Sequence, residues 1–355
     1  MEIVKYTSDV DDLWNDFCES ETDAWFWHTT HWMKYCLISS FHITSINASF
    51  LIMDQRTKEI IAVIPLFVES NDGHNEFTYG GGPTPCYIVK SSLSDKISRN
   101  IKDLIFQETN RIAVYNQVKR ISINLMNELQ VGSDKGSLFL LKNNYIDTRY
   151  YTSVLNLQKP DEEILLGMTK GHRSAIKSSL QSGITIVVYD RKSITAEKFQ
   201  SFKDAYFQAA GKITRPLNAF ELLFYFIQIG YASIFESFYE GKSQGYVYVF
   251  YYKKYAYYAM SCRSYEKEVS NSHSIQWKVI GYLRDIGIAY YELGEQSYGN
   301  TFFHPTDEKK VSISGYKRGF GGAVIPQITG EYFYSEEYFR EVYLKRIKQF
   351  NESNF

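Results

Sequence analysis

Glycines and cations crowd one short stretch near the end of the 355-residue chain. Ser312-Ile-Ser-Gly-Tyr-Lys-Arg-Gly-Phe-Gly-Gly322 sets Gly315, Gly319, Gly321 and Gly322 around Lys317 and Arg318, shortly after the apolar run Ile288-Ala-Tyr-Tyr-Glu-Leu-Gly294. Glycine admits positive φ and lets a backbone come close to a ligand, while the ammonium and guanidinium put two cations beside the bend. That chemistry suits a site gripping an anionic group, and it equally suits a glycine-rich turn with solvated cations. Glu295, just past Leu293-Gly294, reads as an acid that orients an attacking amine or as an ordinary loop carboxylate. Upstream, Lys170, Arg173 and Lys177 are three and four residues apart and share one helical face, apart from a broken apolar stripe of Ile164, Met168, Ala175, Ile176 and Leu180. Gly183 is a natural stop for that helix.

Tyr-Glu-Leu-Gly at 291–294 followed by Ser-Gly-Tyr-Lys-Arg-Gly-Phe-Gly-Gly at 314–322 resembles the closing signature of the FemA/FemB/FemX group of aminoacyltransferases. In that group the pattern is roughly Tyr-Asp-Leu-Gly, then Phe-Lys-x-Gly-Phe-Gly-Gly; here Glu292 stands for the usual acid and Tyr316 for the usual Phe. The basic helix before Gly183-Ile-Thr-Ile-Val is similar to the Arg-rich helix that opens the group's second domain. The resemblance implies that Lys317 lies in the catalytic region. It also places Arg215, in Lys212-Ile-Thr-Arg-Pro-Leu-Asn218, where the group uses an Arg on a diphosphate, although a plain loop Arg fits as well. Tyr258 falls where the group turns a Tyr toward the acceptor, with Tyr257 as its rival on the alternate strand face. Trp277 occupies a helix where the group often shows an aromatic, and core packing accounts for it too. Arg173, Lys177, Arg318 and Gly321 complete the candidate substrate-binding set.

Two features depart from the group. Its peptidoglycan enzymes usually carry Arg-Gly-Pro after the third strand of the first domain, whereas this chain has Gly81-Gly82-Pro83, and no heptad stretch marks the coiled-coil arm of some tRNA-using members. The same fold turned to another amine, such as an amino sugar of a surface glycan, accommodates the first departure.

The elements that must position these residues occur in two similar series. Helical spacing over 9–20 and 30–40, with Asp9 and Thr29 or Thr30 as N-caps, precedes extended runs at 48–53 and 60–68 joined by a hairpin. A third strand ends in Gly80-Gly-Gly-Pro83, and a helix over 93–117 leads to a strand at 120–125. Downstream, helices containing Phe199 and Phe220 precede strands at 231–239, 246–252 and 254–263, a helix at 272–286 and a strand at 288–293. Helices, a hairpin, a third strand, a helix and a fourth strand therefore recur. That is the order of GNAT-type acyltransferase domains, in which the third and fourth strands splay around an acyl donor. The expected fold is α+β: a tandem pair of GNAT-like domains with mixed, mostly antiparallel sheets flanked by helices. The N-terminal domain spans 1–155 and the C-terminal domain 156–355, with a basic linker helix at about 161–182 and the closing strand and Gly-rich motif at 288–325.

Composition narrows the chemistry. The formal charge of −1 provides no global field for nucleic acid or membrane, so any anion site is local. Cys18, Cys36, Cys86 and Cys262 are scattered without metal-ligand spacing, and His172, His273 and His304 have no partners by spacing, so no metal is expected. The first residues lack a basic-then-apolar leader and no window reaches a spanning length, which makes the expected location cytoplasmic with at most peripheral membrane contact. The Gly-rich pyrophosphate motif of acyl-CoA enzymes is missing from the loops at 83–94 and 264–271, and Glu266 and Glu268 would repel a pyrophosphate. No tightly bound cofactor is expected; the donor is aminoacyl-tRNA, alternatively acyl-CoA.

The expected activity is amide-bond-forming transfer of an aminoacyl or acyl group to an amine of a nucleotide- or lipid-linked sugar, a peptidoglycan or surface-glycan precursor of the cell envelope. Such transfer from an activated ester depends on positioning and charge stabilisation, with Lys317 as the stabilising cation. Two alternatives stand beside it: an acyl-CoA or acyl-carrier-protein N-acyltransferase acting on a nucleotide-linked amino sugar, and a non-catalytic module that binds glycan or peptide.

Overall fold

The computed structural model of the chain describes residues 1–125, 135–263 and 272–354. The Ser264-to-Asn271 loop discussed above lies outside them. The fold has two compact units, one built from Met1–Tyr150, Asn300–Pro305 and Pro326–Phe355, the other from Tyr151–Gly299 and Thr306–Ile325. Both are mixed sheets flanked by helices, as the element order implies.

In the first unit, Asp54 turns the expected hairpin by accepting from the backbone N–H groups of Arg56 and Thr57 at 2.8 and 3.0 Å. The run expected to continue to residue 68 instead breaks at Pro65, which has no N–H to give a ladder. Ile60–Ile64 joins a four-stranded sheet and Phe67–Asn71 a seven-stranded one. The Asp95–Tyr115 helix covers its apolar side with Ile101, Ile105, Ile112 and Ala113, which pack on Phe50, Phe77 and Ile121. His74–Thr78 and Arg120–Asn124 pair in parallel only at Glu76 with Arg120 and Phe77 with Ile121.

The second unit holds a seven-stranded sheet in the order Thr185–Tyr189, Ala232–Tyr239, Lys242–Tyr252, Tyr255–Arg263, Tyr290–Glu295, Tyr150–Asn156, Ala323–Gln327. Its third and fourth GNAT-type strands, 255–263 and 290–295, are parallel and pair over just three steps, Tyr255 with Tyr290 to Tyr257 with Glu292. The same brief parallel pairing thus occurs in both units, which is the splayed wedge expected of the recurring order. A bulge at Ala259, where Tyr258 pairs Val249 and Met260 pairs Tyr248, re-aims the outer half of the 255–263 strand.

Three expectations are corrected. The helix read over 161–182 is two, Asp161–Gly167 and Lys170–Gln181, because Met168 and Thr169 are extended and the Thr169 hydroxyl caps the second helix at His172 N–H. The contiguous 156–355 domain is not formed, since residues 300–305 and 326–355 group with the first unit. There the Thr329–Phe333 strand pairs antiparallel with 120–124. Finally, the Gly-rich bend is largely helix, Glu308–Arg318, capped by Asp307, which accepts from Lys310 N–H at 2.7 Å.

The glycines that follow this helix serve packing. A Cβ at Gly321, whose φ is +83°, would lie 2.2 Å from the Gly167 carbonyl oxygen. At Gly319 it would strike the His172 ring at 1.9 Å, and at Gly322 the Ser153 hydroxyl at 2.5 Å.

Replacing Gly321 by Ala should destabilise the chain by about 3 kcal/mol, through left-handed backbone strain and the carbonyl clash, read as a lowered Tm. In the first unit, Arg120 bridges Glu76 and Glu331 at 2.8 and 2.7 Å, and Arg346 meets the same Glu331 oxygen at 2.6 Å. Arg120→Met takes the cation from half-buried Glu76 and leaves buried Glu331 to Arg346 alone, and should cost about 3 kcal/mol in denaturant unfolding.

Candidate active site

Strand alternation sets up the site. Along 290–295, Tyr291 and Leu293 enter the core of the second unit, and the Tyr291 hydroxyl donates to Gln276 Oε1 at 2.9 Å. Glu292 and Gly294 take the opposite face. Thr152 donates to Glu292 Oε1 at 2.7 Å, fixing that carboxylate.

Lys317 reaches this face from the last turn of the 308–318 helix, where the macrodipole favours a cation. The helix is tethered by Ser314, whose hydroxyl accepts from Ser297 N–H at 2.9 Å. A Cβ on Gly294, at φ +88°, would lie 3.0 Å from Lys317 Nζ and 3.8 Å from the Tyr257 hydroxyl, so only glycine leaves room for the ammonium. The ammonium sits 5.8 Å from the Tyr258 ring centroid. It forms no hydrogen bond or ion pair among the described residues. Burial pulls the Lys317 pKa below its ordinary 10.5, opposed by Glu292 and then Glu295. Burial also raises the Glu292 carboxyl, opposed by Thr152 and Lys317. Each of these two charges is therefore desolvated and steadied by the other.

Lys317 lines a cavity of about 190 Å³ within the second unit, together with Tyr258, Ser261, Arg263, Gln276 and Tyr316. Gln276 gives its Oε1 to Tyr291, and its buried Nε2 has no partner among the described residues. Two kinds of donor without a partner among the described residues, an ammonium and an amide, thus line one small cavity. A carbonyl or carboxylate oxygen is the natural complement.

The other residues singled out from sequence are dispersed. Glu295 is exposed at the end of its strand. Arg318 donates to Gln296 Oε1 and Ser297 O at 3.3 and 3.2 Å and stacks 4.1 Å over Tyr298. Arg173 donates to the carbonyls of Leu166 and Met168, closing the C-terminal end of the 161–167 helix, while Lys177 is exposed. Arg215 lies over Tyr206 and Phe220 and donates to Met260 Sδ at 3.4 Å. Trp277 packs against the core, and Gly321 against Gly167. Tyr257 and Tyr258, read as mutually exclusive, both come near Lys317, one through its hydroxyl beside Gly294 and the other through its ring. Glu292, Gln276 and Thr152 were missed as site residues. The acid at the second position of Tyr-Glu-Leu-Gly carried a signal for the first; the other two had none.

No protein-family model matches the sequence, and no curated protein matches it. Among solved structures, FemX is similar at 14% identity and TM-score 0.69, over 97% of this chain and 100% of that one. L-PGS from Bacillus licheniformis is similar at 8% identity and TM-score 0.58, over 97% of each chain. A tandem GNAT protein from the clavulanic acid biosynthesis pathway is similar at 11% identity and TM-score 0.54, over 94% of this chain and 98% of that one. No described helix is long and apolar enough to cross a membrane. The fold of this chain is that of the FemAB-like group of tandem GNAT proteins.

Proposed function

We propose that the chain transfers an aminoacyl group from an activated ester to an amine of a cell-envelope precursor, with Lys317 as the catalytic cation. The observation that carries this reading is the half-buried ammonium of Lys317, without a hydrogen-bond partner among the described residues, which lines the same cavity as Gln276 Nε2. The similarity to FemX in fold, and the resemblance of 291–294 and 314–322 to the closing signature of the FemA/FemB/FemX group, support the reaction class.

In this reading the acceptor amine attacks the ester carbonyl carbon, and the carbonyl π pair moves onto oxygen. Lys317 and Gln276 Nε2 donate to that oxyanion, which neither would do as strongly for the flat ester. When the carbonyl reforms, the C–O bond to the donor breaks and Lys317 delivers a proton to the departing hydroxyl oxygen. The amine, oriented by Glu295, gives up its own proton to solvent, and Lys317 regains one from solvent. Glu292 holds Lys317 in the charged form against desolvation. The cavity's about 190 Å³ suits a group of amino-acid size. The donor in this reading is aminoacyl-tRNA, and Arg215, Arg173, Lys177 and Arg318 are the cations available to phosphates of donor and acceptor.

Lys317→Met should lower kcat/KM by about 10²–10³ while leaving Tm near that of the parent; unchanged transfer would discard the mechanism. Acting as a cation, Lys317 supports activity below its pKa and loses it as pH rises through that value. Because burial lowers the pKa from 10.5, the alkaline limb of the kcat/KM profile should lie below the range of a surface lysine. Glu292→Gln removes the first opposing charge and should shift that limb to still lower pH. With lysate donors and labelled amino acids, RNase treatment should abolish product; product that survives RNase but needs CoA identifies the acyl-CoA alternative, and no product at all favours a binding module.

A further inference from the structure

The first unit contains a cavity of about 350 Å³ that the proposed reaction does not use. Its apolar wall includes Ile105, Ile121, Ile123 and the stacked pair Phe106 and Phe139, whose rings lie 6.1 Å apart at 23°. Its polar wall combines hydroxyls with the side chains of Asn110, Asn143 and Asn144. Thr84 is 4% exposed, and its buried Oγ1 has no hydrogen-bond partner among the described residues. The phenols of Tyr87, Tyr145, Tyr332 and Tyr334 also line the cavity, and none makes a hydrogen bond among the described residues. Burial, then the neighbouring thiol and phenols, pushes Tyr87 and Tyr145 far above the ordinary tyrosine range, and burial with Tyr332 does the same for Tyr334. These three therefore remain neutral hydroxyls.

A buried polar atom left unpaired, as Thr84 Oγ1 is among the described residues, is costly unless something meets it. Around it the four phenols add hydroxyls able to donate, set against a flat aromatic and aliphatic wall. Lys142, exposed at the rim, is the one charged residue among those lining the cavity. A pyrophosphate or carboxylate would find no cradle of cations there.

We infer that this cavity is a second binding site, taking an uncharged molecule that carries an amide or ester carbonyl on a flat apolar body. The carbonyl accepts from the phenols and Thr84, and the body lies against Phe106, Phe139 and Ile105. The inference rests on residues of the first unit alone, so its outcome is independent of the role given to Lys317.

Calorimetric titration of the full chain with acetanilide, with benzoate as a charged match in shape, and with coenzyme A decides it. Acetanilide should bind saturably at one site, with benzoate and coenzyme A at least tenfold weaker at this cavity. Tyr145→Phe should weaken acetanilide about fivefold, the value of one hydrogen bond. Asn110→Trp, at an exposed lining position, should close the mouth and weaken it more than tenfold, and Lys317→Met should leave it unchanged. If Tyr145→Phe melts early by circular dichroism, Asn110→Trp decides alone. Absence of acetanilide binding, equal binding of benzoate, or binding indifferent to Asn110→Trp overturns the proposal.

Discussion

A half-buried ammonium group with no acceptor for its N–H bonds among the described residues is costly, and the second unit is arranged so that Lys317 tolerates that state. Glu292 supplies a nearby opposite charge, the Tyr258 ring a polarisable face, and the end of the 308–318 helix a favourable dipole. None of these is a hydrogen-bond acceptor in contact with the ammonium, so its donors stay available to whatever enters the cavity. Gly294 is the geometric condition for all of this, because any side chain there would occupy the position next to the ammonium.

Fixing the lysine takes a second set of contacts one turn further along. Thr169 N–H donates to the Gly319 carbonyl at 2.9 Å, the ring of His172 meets the Tyr316 carbonyl at 2.8 Å, and Gly321 lies against Gly167. These contacts lock the end of the 308–318 helix to the start of the 170–181 helix. The glycines that look like a ligand loop in sequence are what permit this backbone-to-backbone approach, and the precision of the Lys317 position follows from them.

Where chemistry depends on neighbours in sequence, it was legible. The lysine of the Gly-rich signature and the order of strands and helices are local patterns, and they led to the wedge fold and to Lys317; the acid of Tyr-Glu-Leu-Gly is just as local, yet it was read only as a variant of the signature. Gln276 became visible only in three dimensions, because its place opposite Lys317 depends on which face of the 272–285 helix is buried. The break at Met168 and Thr169 hid inside a run with good helical spacing. Arg318 and Arg173 looked like anion binders, yet backbone carbonyls claim part of their donors. The partnership of Arg120 with Glu331 spans 211 positions, and no short-range pattern announces it.

That distant partnership bears on how the chain comes into being. The 329–333 strand lies between 120–124 and 146–147 in the first unit's sheet. During synthesis both flanking strands leave the ribosome long before their shared neighbour exists. The first unit therefore completes its sheet only when the late strand joins it, and until then the edges of 120–124 and 146–147 stay open and Arg120 lacks one of its carboxylates.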